Sequence, residues 1–315
     1  MRYFLLFLSL GAALIAADKD FNGRWDIKVL NEPRSRVWWL EVQGAGTSAV
    51  KGSFVGAPGG DVDVIPEIKV SDETLEFVFS KRYQRGNANP LRGVYSAKIV
   101  SGKLIGSLDV AGAPDAARKF EGVRAPVIDE KDDGKWKADG QPIQLFNGKD
   151  FTGWSAMVAG QELGWEVKDG NMSNKAGANN LVTSQKFWNF EIHAEYKYGA
   201  GSNSGLGLRG RYEVQILDDY GKPPESHGHG ALYARYTPTV NASKKPGEWQ
   251  TVDIRLIGRI VTVTLNGQKI IDKKEIQGLT AIASDCDEAL PGPITVQGDH
   301  GAVEFRKLTL TKLVR

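Results

Sequence analysis

The chain has 315 residues, and its 40 basic and 38 acidic side chains leave a formal net charge of +2. The two signs are interspersed along the sequence, so no basic stripe favours nucleic-acid binding. The single cysteine, Cys286, excludes an intrachain disulfide. A chain of this length can instead bury a sufficient hydrophobic core, in about two domains. Cys286 lies in a polar loop, where no neighbouring residue predicts an activated thiol.

The first 17 residues have the pattern of a secretory signal peptide. Arg2 precedes an apolar run from Tyr3 to Ala16, and small and polar residues follow it. The run is shorter than the about 20 residues that a membrane-spanning helix requires. The sequence therefore predicts a protein exported to the periplasm or the extracellular space, with no membrane span in the mature chain. An uncleaved membrane anchor is the alternative.

Residues 18–126 are predicted to form an N-terminal β-domain of unknown role. Short runs of alternating residues, such as TLEFVFS at 74–80, are separated by Gly and Asp about every ten residues, as in a small antiparallel barrel or sandwich. The three residues Gly23-Arg24-Trp25 resemble the G-x-W start of lipocalin-like barrels. Four nearby residues have two interpretations, core packing or part of a sugar site: Arg34, Arg36, Trp38 and Trp39.

Residues 127–141 are dense in charge and poor in apolar side chains, which is typical of a linker. Between residues 142 and 315 the strands become longer and clearer. In FEIHAEYKY (190–198), alternation puts His193 and Glu195 on the polar face. The sequence shows no amphipathic helix of useful length. We therefore expect an all-β sandwich whose strands each have one apolar and one polar face.

The segment YEVQIL at 212–217 contains the strongest candidates for a functional site. Alternation places Glu213 and Gln215 on one face, and a β-bulge would bring Asp218 to the same face. This spacing resembles the catalytic strand of laminarinase-like glycosidases. Gln215 replaces their middle acid, so a double-displacement mechanism, which needs a correctly spaced carboxylate pair, is not predicted. A half-exposed strand can also carry such residues for solubility alone.

Two features near this segment favour a ligand site. The preceding GSNSG (201–205) places small residues where a ligand can approach the backbone. The strand that bears His193 and Glu195 is expected to neighbour the Glu213 strand. A histidine and several carboxylates would then share one concave sheet.

Six blocks of the C-terminal half resemble, in order, those of the 3-keto-disaccharide hydrolase family. They are LFNGKDFTGW (145–154), GWEVKDGNM (164–172), LVTSQKFWNFEIHAEYKY (181–198), GSNSGLGLRGRYEVQILDD (201–219), GEWQTVDIRLIGRIVTVTLNGQKI (247–270) and GPITVQGDHGAVEFRKLTL (292–310). The resemblance covers essentially all of 143–315 and does not extend to 18–140. Gln250 and Lys307 stand where the family more often has Asn.

The resemblance implies a concanavalin-like jelly-roll sandwich that acts on glycosides already oxidised at C3 of a glucosyl unit. A separate sugar oxidoreductase often supplies such substrates. A ketone at C3 acidifies the C2 proton, so a base can remove it and the C1 group can depart by β-elimination, after which water adds. This route needs a base, an oxyanion stabiliser and an acid, and Gln215 is compatible with it.

Within this scheme, Glu213 is the expected base and Glu195 its competitor, while His300 is a candidate acid or ligand. Further residues are expected to bind the sugar or the enolate oxygen: Gln215, Asn203, Arg209, Asp218, Tyr233 and His193. Four aromatic residues have two alternative roles, stacking on sugar rings or packing in the core: Tyr233, Trp154, Trp165 and Trp188.

The loop at 218–233 is interpreted as a lid or a metal site, since it contains Asp219, Glu225, His227 and His229 among glycines. His227-Gly-His229 lacks a firm ligand spacing, so the cofactor stays undefined and a divalent cation stays an open alternative. Two other functions also stay open. One is a non-catalytic carbohydrate-binding protein that uses the same face, and the other is a scaffold whose N-terminal domain docks a partner.

Overall fold

The computed structural model describes residues 17–32, 36–56, 60–83 and 89–315. The predicted signal peptide lies outside these residues apart from Ala17, and so does Arg34. Within the described part of the chain, no helix has the length and hydrophobicity needed to cross a bilayer. Regular structure is almost entirely β, which confirms the predicted all-β class.

The N-terminal strands of the described ranges form one antiparallel sheet that curls around an aromatic core, here called the barrel. Its strands are β1 (Gly23–Val29), β2 (Val37–Gln43), β3 (Lys51–Val55), β4 (Asp63–Val64), β5 (Glu67–Ser71), β6 (Thr74–Lys81), β7 (Leu91–Val100), β8 (Lys103–Val110) and β9 (Arg118–Arg124). Their order is β4-β3-β2-β1-β9-β8-β7-β6-β5. The sheet curls far enough that Gly52 of β3 lies against Ile68 of β5.

The barrel interior confirms the alternation that the sequence shows in TLEFVFS. Phe77 and Phe79 point into the core, and Phe77 stacks on Tyr95 with ring centroids 4.5 Å apart. Trp25 is fully buried in the same core, and the Arg124 guanidinium lies 3.8 Å from the centroid of its ring. This cation–π contact joins β1 to β9.

The C-terminal half is a sandwich of two sheets. The large sheet contains β10 (Lys137–Ala138), β11 (Ile143–Gln144), β13 (Trp165–Lys168), β14 (Asn171–Asn174), β16 (Phe190–Tyr198), β19 (Gln250–Ile257), β20 (Ile260–Leu265), β21 (Gln268–Glu275) and β23 (Val303–Val314). The small sheet contains β12 (Trp154–Ala156), β15 (Leu181–Phe187), β17 (Asn203–Leu208), β18 (Tyr212–Leu217) and β22 (Gly292–Val296). Apolar residues from both sheets meet in one core, among them Ile192 of β16 and Val214 of β18.

The structure contradicts the expectation that the His193 strand neighbours the Glu213 strand. β16 pairs with β19 and β23 in the large sheet, whereas β18 pairs with β17 in the small sheet. Because the core lies between the two sheets, their polar faces point to opposite sides of the sandwich. Alternation identifies the polar face of a strand but not the sheet to which the strand belongs, and this is why the prediction is wrong.

The β-bulge expected near Asp218 is also not found. β17 and β18 pair in unbroken register, from Asn203 opposite Leu217 to Leu208 opposite Tyr212. Asp218 follows the end of β18, and its Oδ2 accepts a hydrogen bond of 2.8 Å from the backbone N of Gly201. The carboxylate therefore closes the end of the hairpin instead of joining the Glu213 face.

The barrel packs directly against the sandwich. The Trp39 ring lies so close to Gly278 that a Cβ there would meet it at 2.7 Å, and Arg235 donates a hydrogen bond of 2.9 Å to the carbonyl oxygen of Gly60. The segment predicted as a linker, 127–141, lies along the sandwich, where Asp132 accepts a hydrogen bond of 3.1 Å from Nε of Arg255. These contacts hold the β1–β2 end of the barrel beside the small sheet.

Candidate active site

A cavity of about 350 Å³ lies over the face of the small sheet that points away from the sandwich core. Its volume is within the range of small-molecule binding sites. The sandwich lines it mainly with polar side chains: Asn203, Glu213, Gln215, Tyr233, Gln297, Asp299 and His300. Six of these seven residues are among the site residues predicted above or lie beside one, so the sequence correctly brings most of this group together in space.

Two glycines of β17, here called the glycine floor, lie beneath the side chains of Glu213 and Thr295 on the cavity side of the small sheet. Gly205 lies opposite Gln215, and Gly207 lies opposite Glu213. Directly opposed residues share a face of the sheet, so these glycines lie beneath the polar side chains. A Cβ on Gly205 would clash with Oε1 of Glu213, and a Cβ on Gly207 would clash with Oγ1 of Thr295. The absence of a side chain at these two positions therefore gives Glu213 and Thr295 room to lie over β17.

Three polar atoms on this face are buried without a hydrogen-bond partner among the described residues. They are Oε1 of Gln215, Oγ1 of Thr295 and Oε1 of Gln297. Nε2 of Gln215 lies 3.5 Å from Oδ1 of Asn203, at the limit of a hydrogen bond. An unpaired buried polar atom costs about 1–3 kcal/mol, so such atoms are uncommon in folded proteins. Of the three residues, Gln215 and Gln297 line the cavity, where hydroxyl groups of a ligand would satisfy their oxygens.

Glu213 is buried in the cavity wall beside Tyr233. Glu213 is only 3% exposed, and its backbone oxygen accepts a hydrogen bond of 3.0 Å from the backbone N of Tyr233. Burial raises the pKa of Tyr233, and the charge of Glu213 raises it further. The phenol therefore keeps its proton at neutral pH and can donate a hydrogen bond to a ligand.

The loop at 298–301 holds His300 and Asp299 at the cavity. Oδ1 of Asn180 accepts hydrogen bonds from the backbone N atoms of Gly298 and Asp299, at 2.8 and 3.1 Å. Nδ1 of His300 lies 2.8 Å from Oδ1 of Asp299. Because Asn180 is buried, it fixes this loop relative to the small sheet.

The structure places Arg209 away from the cavity, contrary to its predicted role in sugar binding. Its guanidinium is fully buried, stacks on the Trp188 ring at 3.7 Å and donates a hydrogen bond of 2.7 Å to the Trp188 carbonyl. Burial lowers the pKa of Arg209 to about 10. Arg209 lies just beyond β17 in the tight β17–β18 turn, so it packs at the end of the hairpin, and the expected grouping with Gln215 is wrong.

The structure also separates Glu195 and His193 from Glu213. Both lie on the outer face of the large sheet, where Glu195 forms an ion pair of 2.6 Å with Arg306 and lies 3.4 Å from His193. Burial raises the pKa of Glu195, but the hydrogen bonds from Arg306 and His193 outweigh that effect, and the net shift is downwards. A carboxylate held in this way is a weak base and is remote from the cavity.

Two residues of the 218–233 loop stabilise the fold. The His229 ring is buried between the hydroxyl groups of Tyr196 and Tyr198, at 2.6 and 3.1 Å, and its backbone N donates to Oδ2 of Asp219. Burial lowers the pKa of His229 to about 4, so the ring stays neutral. His227 instead points towards the barrel and lies 3.3 Å from Asp61.

Among the described residues, no group of three or more His, Cys, Asp or Glu side chains is arranged to hold a metal ion. Of the four aromatic residues considered for ring stacking, Tyr233 lines the cavity. Trp154 and Trp165 are buried in the sandwich core, and Trp188 stacks with Arg209.

Sequence reasoning missed several residues of the site. Thr295 and Gln297 alternate with the buried Ile294 and Val296 in GPITVQG, so the period-2 pattern that identified Glu213 would also have identified them. Arg36, for which packing and a sugar site were both open, lines the cavity from the barrel. Its neighbours Trp38 and Trp39 serve packing.

The fold and the site together define a β-sandwich protein with a polar cavity on its small sheet. A family model described as a 3-keto-alpha-glucoside-1,2-lyase-like domain matches residues 141–311, which is more than half of the chain. The chain belongs to this family, as the six sequence blocks predict.

Individual proteins are also similar to parts of this chain. The 3-keto-disaccharide hydrolase of Bacteroides thetaiotaomicron is 26% identical over 171 residues, which cover 43% of this chain and 59% of that protein. The match thus spans less than two thirds of that relative's length. Two crystal structures of candidate glycosyl hydrolases from Parabacteroides distasonis are 29% and 25% identical, with TM-scores of 0.48 and 0.47. They cover 59% and 54% of this chain, and 91% and 93% of their own lengths.

Proposed function

We propose that the chain is an exported enzyme that cleaves the glycosidic bond of 3-keto-glycosides by base-assisted elimination and hydration. Family membership supports the substrate class. The observation that carries the proposal is the buried carboxylate of Glu213 above a floor of glycines, beside three buried polar atoms without partners. Export rests on the sequence pattern of residues 1–17 alone, and a separate sugar oxidoreductase would supply the substrate.

The ketone at C3 makes the C2 proton acidic enough for a carboxylate to remove. Glu213 takes this proton and the electron pair forms an enolate. The enolate then expels the C1 oxygen, which leaves with the bonding pair and is protonated by an acid. The products are a 2-hydroxyglycal ketone and a free alcohol. Water adds across the C1=C2 bond, with hydroxyl at C1 and hydrogen at C2, to give the 3-keto sugar.

The remaining cavity residues have complementary roles in this scheme. The neutral phenol of Tyr233 donates a hydrogen bond to the enolate oxygen, which stabilises the charge that develops there. Oε1 of Gln215 and Oε1 of Gln297 accept hydrogen bonds from sugar hydroxyl groups. In this scheme His300, which is partly exposed beside Asp299, protonates the departing oxygen.

A pair of glutamine substitutions tests the identity of the base. With a 3-keto-disaccharide as substrate, we expect Glu213→Gln to lower kcat by about 10²- to 10⁴-fold, the usual contribution of a positioned base. Glu195→Gln is the matched control and should stay within about threefold of the wild type, because Glu195 lies on the opposite side of the sandwich. The release of 3-keto-glucose measures both rates.

Two outcomes would overturn this proposal. Loss of activity in Glu195→Gln but not in Glu213→Gln would reassign the base. Tight binding of glycans by the wild type without turnover would identify a carbohydrate-binding protein instead. The same reaction run in D₂O tests elimination, which places deuterium at C2 of the product, and 3-keto-glucose incubated with the enzyme in D₂O corrects for exchange of this proton by enolisation.

A further inference from the structure

One wall of the cavity belongs to the barrel and not to the sandwich. Glu32, Arg36 and Val37 line it, and they lie between the end of β1 and the start of β2. The family match covers residues 141–311 only. This wall is therefore an addition that the family domain does not itself supply.

The cavity-lining residues of the barrel are held in place from both sides. The backbone N of Val29 donates a hydrogen bond of 2.9 Å to the carbonyl of Arg36, and Val37 packs against the hydrophobic core of the sandwich. Glu32 forms an ion pair with Arg118 of β9 and lies 3.6 Å from Arg36. These contacts reduce the entropy that the wall would lose on binding a ligand.

The barrel also supports the adjoining wall of the sandwich. Ala281, Ile282 and Ala283 line the cavity, and Gly60 of the barrel lies so close that a Cβ there would meet the Cβ of Ala281 at 2.7 Å. Arg235 ties Gly60 to the sandwich through its carbonyl. The two domains therefore form one continuous site.

We propose that Arg36 binds the leaving group of the substrate and thereby selects glycosides whose leaving group is rich in oxygen, such as a second sugar. The inference rests on the proposed function, which places the reacting ring at Glu213. Whatever the ring carries beyond the glycine floor then meets the barrel wall. The Arg36 side chain is about half exposed, and a guanidinium offers five N–H donors to hydroxyl and ether oxygens. Glu32 beside it can accept hydrogen bonds from hydroxyl groups.

The substitution Arg36→Ala tests this inference with two substrates. For a 3-keto-disaccharide we expect kcat/KM to fall by about 10- to 100-fold, mainly through KM, because hydrogen bonds from a charged donor are lost. For methyl 3-keto-glucoside, whose leaving group is too small to reach the barrel, the change should stay within about threefold. Arg92→Ala is the matched control, since Arg92 pairs with Glu67 on the exposed surface of the barrel.

Binding measured by calorimetry separates this inference from the proposed function. In a Glu213→Gln background, Arg36→Ala should weaken the binding of the disaccharide by about 10-fold or more and leave that of the methyl glycoside unchanged. Equal weakening for both ligands, or none for the disaccharide, would overturn the role of Arg36 even if the wild type is active. A wild type that binds both ligands but cleaves neither would overturn the proposed function and leave the Arg36 result valid. Failure to bind either ligand would overturn both.

Discussion

Gly205 determines how closely the backbone of the small sheet approaches the carboxylate of Glu213. The three atoms that a Cβ at Gly205 would meet first all belong to the Glu213 side chain. The residue lies within β17 and its φ is not positive, so the backbone itself tolerates alanine. The effect of an added methyl group should therefore fall on Glu213 and on little else.

We expect Gly205→Ala to lower kcat by about 100-fold, because a displacement of a catalytic group by about 1 Å can have that effect. The overpacked methyl group should also lower the free energy of unfolding by about 1–3 kcal/mol. Enzyme assays and urea unfolding measure the two effects. Gly199→Ala is the control, since a Cβ there meets no atom within 4 Å.

A double-mutant cycle shows whether the two effects share one cause. If the methyl group acts through Glu213, adding Glu213→Ala should restore most of the stability that Gly205→Ala loses. Additive losses in the double variant would show that the methyl group disturbs the sheet instead.

For single residues, the sequence predicts the direction of a side chain on a regular strand but not beyond the end of the strand. Alternation places Glu213 and Gln215 correctly, because β18 is regular over its whole length. Arg209 lies in the turn that follows β17, where φ is 54° and the period-2 pattern no longer applies. Its direction depends on the packing against Trp188, which the local sequence does not encode.

Among the structural elements, the loop at 298–301 depends on a single amide for its position. Asn180→Ala would leave the backbone N atoms of Gly298 and Asp299 without their acceptor. We expect the free energy of unfolding to fall by about 1–3 kcal/mol and kcat/KM to fall by about 10-fold or more as His300 loses its placement.

Asn171→Ala provides the comparison for this prediction. Asn171 donates to Glu304 on the large sheet at 2.6 Å, so its loss should leave kcat/KM within about threefold. A similar loss of activity in both variants would show that general destabilisation, and not the loop, is responsible.

Two strands of the barrel have a weak apolar pattern. β5 has no buried residue, and β9 buries only Phe120 and Gly122. Both segments form strands because the neighbouring strands of the barrel pair with them through hydrogen bonds, although their own sequences favour strand structure only weakly. The sequence also does not predict the sheet to which β16 belongs, because the pairing partners of β16 lie far away along the chain.

For the whole molecule, the junction between barrel and sandwich contains a buried carboxyl pair. Asp26 of β1 is fully buried and faces Glu288, which Arg259 and Tyr212 hold by hydrogen bonds. Burial, together with the charge of Glu288, raises the pKa of Asp26 to about 9, although Arg259 and Arg211 oppose the shift. At neutral pH Asp26 therefore keeps its proton.

The raised pKa of Asp26 makes the free energy of unfolding fall as pH rises. Above about pH 4 the unfolded chain loses the Asp26 proton while the folded chain retains it up to about pH 9, so each unit of pH in that window favours unfolding. Asp26→Asn removes the titration. We expect the variant to gain stability relative to the wild type by roughly 1–4 kcal/mol more at pH 8 than at pH 5, measured by guanidinium unfolding.

The exposed Asp109→Asn is the control, and its effect should be the same at both pH values. An equal effect of Asp26→Asn at pH 5 and pH 8 would show that Asp26 is ionised in the folded protein. The close approach of Asp26 and Glu288 would then have to be stabilised by something other than the proton on Asp26.

Strand β23 has a consequence for the order in which the molecule is completed during synthesis. It follows every other described strand in chain order, yet it pairs with β10, β11, β14 and β16 near the middle of the large sheet. The barrel strands all lie before residue 125, so as the chain emerges from its N-terminal side, from the ribosome or across a membrane, the barrel can close before the sandwich is complete. Until β23 emerges, β16 offers an open backbone edge of nine residues, which is prone to pair with other chains. The sandwich is thus most exposed to aggregation just before β23 emerges, and a chaperone that covers this edge would act at that moment.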